Sequence, residues 1–124
     1  MVASIIYLVN SHDDIIDYDS IIIRVMASDL MNMNKSGNML LLMKTLISGG
    51  AKKILVDMKG LESIDSSGIS VLIETAKLIR QRNGNLALSN VPLWIQKIFE
   101  PFKPDLFINI YNTHDEVINF FKLV

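Results

Sequence analysis

Ile64-Asp65-Ser66-Ser67-Gly68 sits between a short apolar run, Ile54-Leu55-Val56, and a long amphipathic stretch, Ile69 to Arg82. This order predicts a strand, a tight loop and the first turn of a helix. Asp65, Ser66 and Ser67 are residue types whose side-chain oxygens accept hydrogen bonds from the unpaired amides of a helix N-terminus. The same end of a helix favours anions, so a serine hydroxyl placed there can carry a phosphate at little electrostatic cost. The five residues read in two ways: as a helix cap alone, or as a cap that also holds a switch.

Outward from this stretch, strands and helices alternate. Ile69, Leu72, Ile73, Ala76 and Ile79 fall on one helical face and Val71 and Leu78 widen it, with Glu74, Thr75, Lys77, Gln81 and Arg82 mostly opposite. Gly84 fits the left-handed position that ends such a helix. Lys53 to Asp57 reads as a buried central strand and Asn85 to Ser89 as another. Asn90 is expected to cap a helix carrying Pro92 in its first turn, with Trp94, Ile95, Ile98 and Phe99 as its apolar side. Pro101 and Pro104 end it, and Leu106 to Ile110 reads as a last strand. Thr113, with Glu116 three residues on, forms a capping box for a final helix through Phe121.

Upstream, Ile5 to Val9 and Ile21 to Met26 read as strands. The second is apolar on both parities apart from Arg24, which implies cover on both faces. Asn10 to Asp14 is turn-like, Ile15 to Tyr18 a short continuation, and Asp29 to Asn34 open to either reading. From Ser36 the spacing of Met39, Leu40, Leu42, Met43, Leu46 and Ile47 is helical, and Gly49-Gly50 stops it. Strands alternating with helices imply parallel pairing through crossovers. The expected fold class is α/β: a mixed four- or five-stranded sheet with about four helices packed mainly on one face.

A chain of 124 residues is enough for one core, so 1–124 reads as a single domain. Half the residues are hydrophobic and a fifth charged, the composition of a globular protein. A formal net charge of −1, with lysines and arginines scattered, argues against nucleic acid as a direct partner. The lack of cysteine excludes disulfides and thiolate metal sites. Met1 to Ile5 lacks a basic leader, and no apolar run approaches the roughly 20 residues of a membrane span. The expectation is a cytoplasmic protein.

The segment from Lys53 through Asp57, Asp65, Ser66, Ser67 and Gly68 to Ile69 resembles the signature of the STAS family, the anti-sigma factor antagonist domains. There a buried strand ends in an acidic residue, a short loop follows, and then comes Asp-Ser-Ser-Gly or Asp-Ser-Thr-Gly. The downstream order is similar too: a helix, the break Arg82-Asn83-Gly84-Asn85, a strand Leu86-Ala87-Leu88, and Asn90-Val91-Pro92 opening another helix. The resemblance covers residues 52–121, and 1–51 is the divergent part. The family's Gly-Glu-Leu-Asp-like turn would fall at Ala27 to Asn32, where the glycine is missing and Asp29 is only a guess for the acidic position.

The resemblance implies a STAS-like fold. It implies that Ser66, directly after the aspartate, is the phosphorylated residue, with Ser67 the second choice. Asp65, Ser66, Ser67, Gly68 and Ile69 would then form an exposed partner-binding rim. The implied function is that of a phosphoprotein in bacterial transcription regulation, a partner-switching antagonist and not an enzyme. Unphosphorylated on Ser66, it would sequester an anti-sigma factor that is a serine protein kinase of the histidine-kinase-like ATPase type. A serine phosphatase would reset it. No cofactor and no metal is implied. The alternative is a scaffold or adaptor subunit of a stress-signalling or lipid-transport complex.

Two other chemistries compete with this reading. Asp57, at the end of a buried strand, invites comparison with a phosphorylated receiver aspartate. That chemistry needs magnesium held by several oxygens. Asp13 and Asp14 could supply acids, but no matching lysine or hydroxyl loop accompanies them, and a strand-end acid making local hydrogen bonds is the favoured reading. Ser66 as a catalytic nucleophile would need a positioned base. His12 and His114 are the only histidines and sit in no suggestive context, and Ile64 stands where a nucleophile elbow needs glycine. Met26, Met31, Met33, Met39, Met43 and Met58 are expected mostly as core filler.

Overall fold

The structure, a computed structural model, describes residues 3–8, 21–26, 33–61, 63–102 and 108–123. In chain order these form β1 (Ala3–Leu8), β2 (Ile21–Met26), α1 (Met33–Ser48), β3 (Lys53–Asp57), α2 (Ser66–Gln81), β4 (Asn85–Ser89), α3 (Leu93–Phe99), β5 (Ile108–Ile110) and α4 (His114–Leu123). A short 3-10 turn, Glu100–Phe102, follows α3. The segments expected as a turn at Asn10 to Asp14 and a continuation at Ile15 to Tyr18, and the stretch Ala27 to Asn32, lie outside the described residues.

The five strands stand side by side in chain order. β1 runs antiparallel to β2, and each later neighbour is parallel. When successive parallel strands step in one direction, connections of one hand place their helices on one face. Accordingly Met39 and Met43 of α1, Leu72 and Ile79 of α2, and Ile95 and Phe99 of α3 share one core with Ile54, Val56, Leu86 and Leu88. α4 takes the other face, where Val117 and Phe121 pack on Ile22, Leu55 and Ala87. β2 and β3 are thus covered on both sides, as their two-sided apolar pattern requires. The mixed sheet with helices mainly on one face is as expected. A receiver has the doubly wound strand order 2-1-3-4-5. The sequential order here, with its antiparallel β1, is a different topology, and the reading of Asp57 as a receiver aspartate is corrected on that ground.

The inward stripe of α2 is Gly68, Val71, Leu72, Thr75, Ala76 and Ile79, the three-and-four spacing of a helix packed on a core. Thr75, expected on the outer face, is fully buried, and its Oγ1 finds no hydrogen-bond partner among the described residues. Ile69 and Ile73 are only half-buried. Counting large apolar residues alone draws the stripe too far toward Ile73. The small residues Gly68, Thr75 and Ala76 complete it because they let the helix lie close to its neighbours.

Both long helices end in a six-to-one backbone closure. In α1, Ala51 N–H donates to Leu46 O and Gly50 N–H to Ile47 O, with Gly50 at φ 110°. In α2, Gly84 N–H donates to Ile79 O and Asn83 N–H to Arg80 O, and the left-handed residue is Asn83 at φ 63°. The expectation that Gly84 takes that conformation is corrected: Gly84 is needed for space, as argued below. α4 opens as its sequence indicates. Thr113 Oγ1 accepts the Glu116 amide at 3.2 Å and donates to the Glu116 carboxylate at 3.3 Å. Burial, with the Glu116 charge adding, raises the phenol of Tyr111, which packs on Phe120, above its ordinary pKa.

Candidate functional site

β3 and β4 are adjacent, parallel and in register, with Asp57 beside Ser89. The loop from β3 to α2 and the turn from β4 to α3 therefore leave the same edge of the sheet. That edge, at the carboxyl ends of parallel strands, is where α/β folds place their sites.

The β3–α2 loop begins with a turn closed by Leu61 N–H on Met58 O at 3.1 Å, and Gly60 sits at φ 79°, a conformation glycine adopts freely. It ends at Asp65, whose backbone is extended and whose Oδ1 accepts the Gly68 amide at 3.0 Å. The Asp65 carbonyl accepts the Ile69 amide at 3.1 Å. Asp65 is thus the N-cap, and Ser66 and Ser67 are the first two helical residues. Capping does not need either serine hydroxyl. Ser66 is exposed and Ser67 half-buried. The rim is narrower than expected: Gly68 is buried and faces the core, and Ile69 is half-buried against it. The amides of Ser66 and Ser67, at positions a helix cannot satisfy internally, remain as anion donors beside the Ser66 hydroxyl.

Replacing the cap should cost stability without touching the core. Asp65→Ala is expected to lose about 1 kcal/mol, and Asp65→Asn, an equally good cap, only a few tenths. Chemical denaturation of the two variants checks this; equal losses would show that charge, not capping, holds the turn.

Asp57 is a junction. Its side chain is nearly closed off, and one oxygen, Oδ1, accepts both the Lys59 amide at 2.9 Å and Asn90 Nδ2 at 3.0 Å. Its Oδ2 lies 4.0 Å from Arg24 Nη1. It is a strand-end acid making local hydrogen bonds, and these three partners come from within β2 and from just beyond the ends of β3 and β4. Asn90 does not cap α3, as the sequence reading expected. It holds a left-handed backbone at φ 54°, and its amide is turned to Asp57. Pro92 occupies the N-cap position with no side-chain bond, and Gln96 Nε2 reaches back to Val91 O at 3.0 Å. Trp94, expected on the apolar side of α3, is 41% exposed and Leu93 66%. Ile95 and Phe99 fill the inward positions.

Sequence reasoning brought out the residues of the β3–α2 loop but not Asn90, Leu93 or Trp94. The separation of 33 positions between Asp57 and Asn90 hides a contact that only the strand register creates. His12 lies outside the described residues, as does the side chain of His114. Among the described residues no group of three or more histidine or acidic side chains gathers as a metal site would need. Among them, too, no helix is long and apolar enough to cross a membrane.

The STAS domain family matches residues 3–117 of the chain. Among solved structures, that of TM1081 from Thermotoga maritima, a candidate anti-sigma factor antagonist, is 21% identical with a TM-score of 0.69, covering 95% of this chain and 94% of that one. The Bacillus cell fate determinant SpoIIAA, in its phosphorylated form, is 16% identical with a TM-score of 0.63 over 86% of this chain and 95% of its own. The murine anion transporter Solute Carrier 26 family member A9 is 14% identical with a TM-score of 0.65; the match takes in 98% of this chain but 22% of the transporter. No curated protein sequence matches. At these identities the likenesses speak for the fold.

Proposed function

The chain belongs to the STAS domain family, and from that membership we propose that it is an anti-sigma factor antagonist switched by phosphate on Ser66. The observation that carries this is the division of labour in the first turn of α2: Asp65 does the capping, which leaves the Ser66 hydroxyl exposed. With Ser66 unmodified, the edge binds an anti-sigma serine kinase of the histidine-kinase-like ATPase type and keeps it from its sigma factor. Phosphorylation adds roughly −1.5 to −2 charges beside Asp65. The α2 amides stabilise that charge within this chain, while a partner surface closed over the edge is repelled and must desolvate it. A serine phosphatase restores the binding form. The protein acts as a binding module in the cytoplasm; the reaction belongs to the kinase.

The test is capture from the native cytoplasm followed by phosphate mapping. The wild-type chain is expected to retain an ATPase-type serine kinase and, on addition of ATP, to gain acid-stable phosphate at Ser66. Phosphate only at Ser67, or none, would move or remove the switch. A scaffold reading is favoured by one observation, the missing glycine in Ala27 to Asn32 where antagonists carry their acidic turn. Constitutive retention of a partner other than a kinase, insensitive to ATP, would establish it instead.

A further inference from the structure

Asn83-Gly84 is the only Asn-Gly step in the chain, and α2, β3 and β4 meet at it. We propose that Asn83 is a deamidation site gated by the fold: closed while the α2–β4 turn is formed, open when the turn parts, and fatal to the turn once used. The chemistry needs nothing but water. The Gly84 amide nitrogen attacks Cγ of the Asn83 side chain. A bond forms between that nitrogen and Cγ, the bond from Cγ to Nδ2 breaks, and Nδ2 leaves as ammonia with the proton that the Gly84 nitrogen gives up. The five-membered succinimide that results takes up one water at either of its two carbonyls. Opening at one leaves an ordinary backbone with aspartate at 83. Opening at the other leaves isoaspartate, whose backbone runs through the side chain and is longer by one atom. Glycine is the least hindered residue for this attack, because no Cβ stands beside its nitrogen.

The two reacting residues have opposite surroundings. Asn83 is exposed and Gly84 is buried. Gly84 N–H donates to Ile79 O at 2.8 Å, so the nucleophile is committed to the end of α2. Asn83 holds a left-handed backbone at φ 63°. In that region, with ψ of roughly +30 to +60°, the next nitrogen lies nearly opposite Cβ, whereas ring closure needs it on the same side as Cβ. Turning the peptide plane breaks the bond to Ile79 and pulls Gly84 away from Lys52, whose carbonyl accepts the Asn85 amide at 2.8 Å. The reaction therefore proceeds only through conformations in which this turn has opened. Its main consequence is lasting. An aspartate at 83 tolerates the left-handed backbone and closes the turn again. An isoaspartate does not, because the extra backbone atom displaces Gly84 from a gap in which even an added Cβ would stand 2.6 Å from Lys52 O. β3 and β4 run from this junction to Asp57 and Ser89, so a chain modified here loses the edge that carries Ser66, whatever partner that edge binds.

The test holds the full chain in mildly alkaline buffer in two states, native and unfolded in guanidinium chloride. Deamidation is mapped by mass spectrometry of digests, and isoaspartate is counted with a carboxyl methyltransferase that acts on it. Native protein should deamidate at Asn83 at least tenfold more slowly than unfolded protein, since the rate tracks the open fraction. After the denaturant is removed, unmodified chains should regain their melting transition. Asn83→Asp carried through the same treatment should regain it too, within a few degrees of wild type. Chains with isoaspartate at 83 should stay unfolded or melt far lower. Equal rates in native and unfolded protein would remove the gate. Full recovery of the isoaspartate chains would remove the lasting effect. Failure of Asn83→Asp to recover would assign the damage to the added charge and not to the longer backbone. Each of these three results overturns the proposal, and none of them bears on whether Ser66 is the switch.

Discussion

Ser66→Asp is expected to lower affinity for the captured kinase at least tenfold while leaving the folded chain as stable as wild type or slightly more so. The two effects have opposite signs because they have different surroundings. Within the chain, residue 66 is the first helical position of α2, exposed, with the positive end of the helix beside it. An acid there contributes about 0.3–1 kcal/mol of stability. In the proposed complex the same carboxylate would be enclosed with Asp65 against a surface that accepts a neutral hydroxyl. A like charge and a desolvated anion then each act against binding, and a tenfold loss needs only about 1.4 kcal/mol of this penalty. Ser66→Ala should bind as wild type and refuse phosphate. Raising the salt should recover part of the Ser66→Asp loss, since the Coulomb share is screened and the desolvation share is not. Binding titrations with thermal melts on the same samples check all of this. A variant that binds normally would make Ser66 a bystander; one that melts well below wild type would turn the lost binding into a folding defect.

The parts of the fold that were legible in the sequence are those fixed by local chemistry. β2, β3 and β4 are centred on their apolar runs and have the bounds expected of them, and Gly49-Gly50 closes α1. The Thr113–Glu116 box opens α4 and Asp65 caps α2. Each of these is decided within a few residues. The errors share a different cause. Thr75 is inside because α2 is turned by what it packs on, Trp94 is outside because Ile95 and Phe99 have first claim on the core, and Asn90 serves Asp57 in place of α3. All three are settled by neighbours far away in the chain. The candidate site divides in the same way. Its proposed phosphoacceptor, Ser66, lies in a contiguous motif that can be read directly, whereas the edge around it is assembled by strand register from two loops. α1 begins at Met33, ahead of the expected Ser36, because its opening residues carry no cap or periodic signal strong enough to mark the start.

Gly84→Ala is expected to be the most destabilising single-methyl change in this region, although Gly84 has an ordinary backbone conformation. A Cβ at position 84 would stand 2.6 Å from Lys52 O, 2.9 Å from Lys52 Cα and 2.7 Å from Ile79 Cγ1. Two of these three obstacles are backbone, at the point where the chain enters β3, and they cannot move without disturbing strand pairing. The Lys52 carbonyl is also committed, accepting the Asn85 amide at 2.8 Å, and Gly84 itself closes α2 through Ile79 O. Forced overpacking of this kind costs about 1–3 kcal/mol. At roughly 3–5 °C per kcal/mol for a domain of this size, a fall in melting temperature on the order of 10 °C follows. Asn83, one residue earlier, separates space from backbone conformation as the cause. Asn83→Gly, at φ 63°, should change stability little, and Asn83→Ala should cost about 1 kcal/mol. If instead Asn83→Ala is silent and Gly84→Ala costs only that amount, the left-handed residue is Gly84 and the close approach of Lys52 is relieved in solution. If the order is as expected, the junction of α2, β3 and β4 is held by contact at one missing methyl. Because β4 leads from it to Ser89 and Asn90, the same junction sets the register on which the Asp57 contact depends.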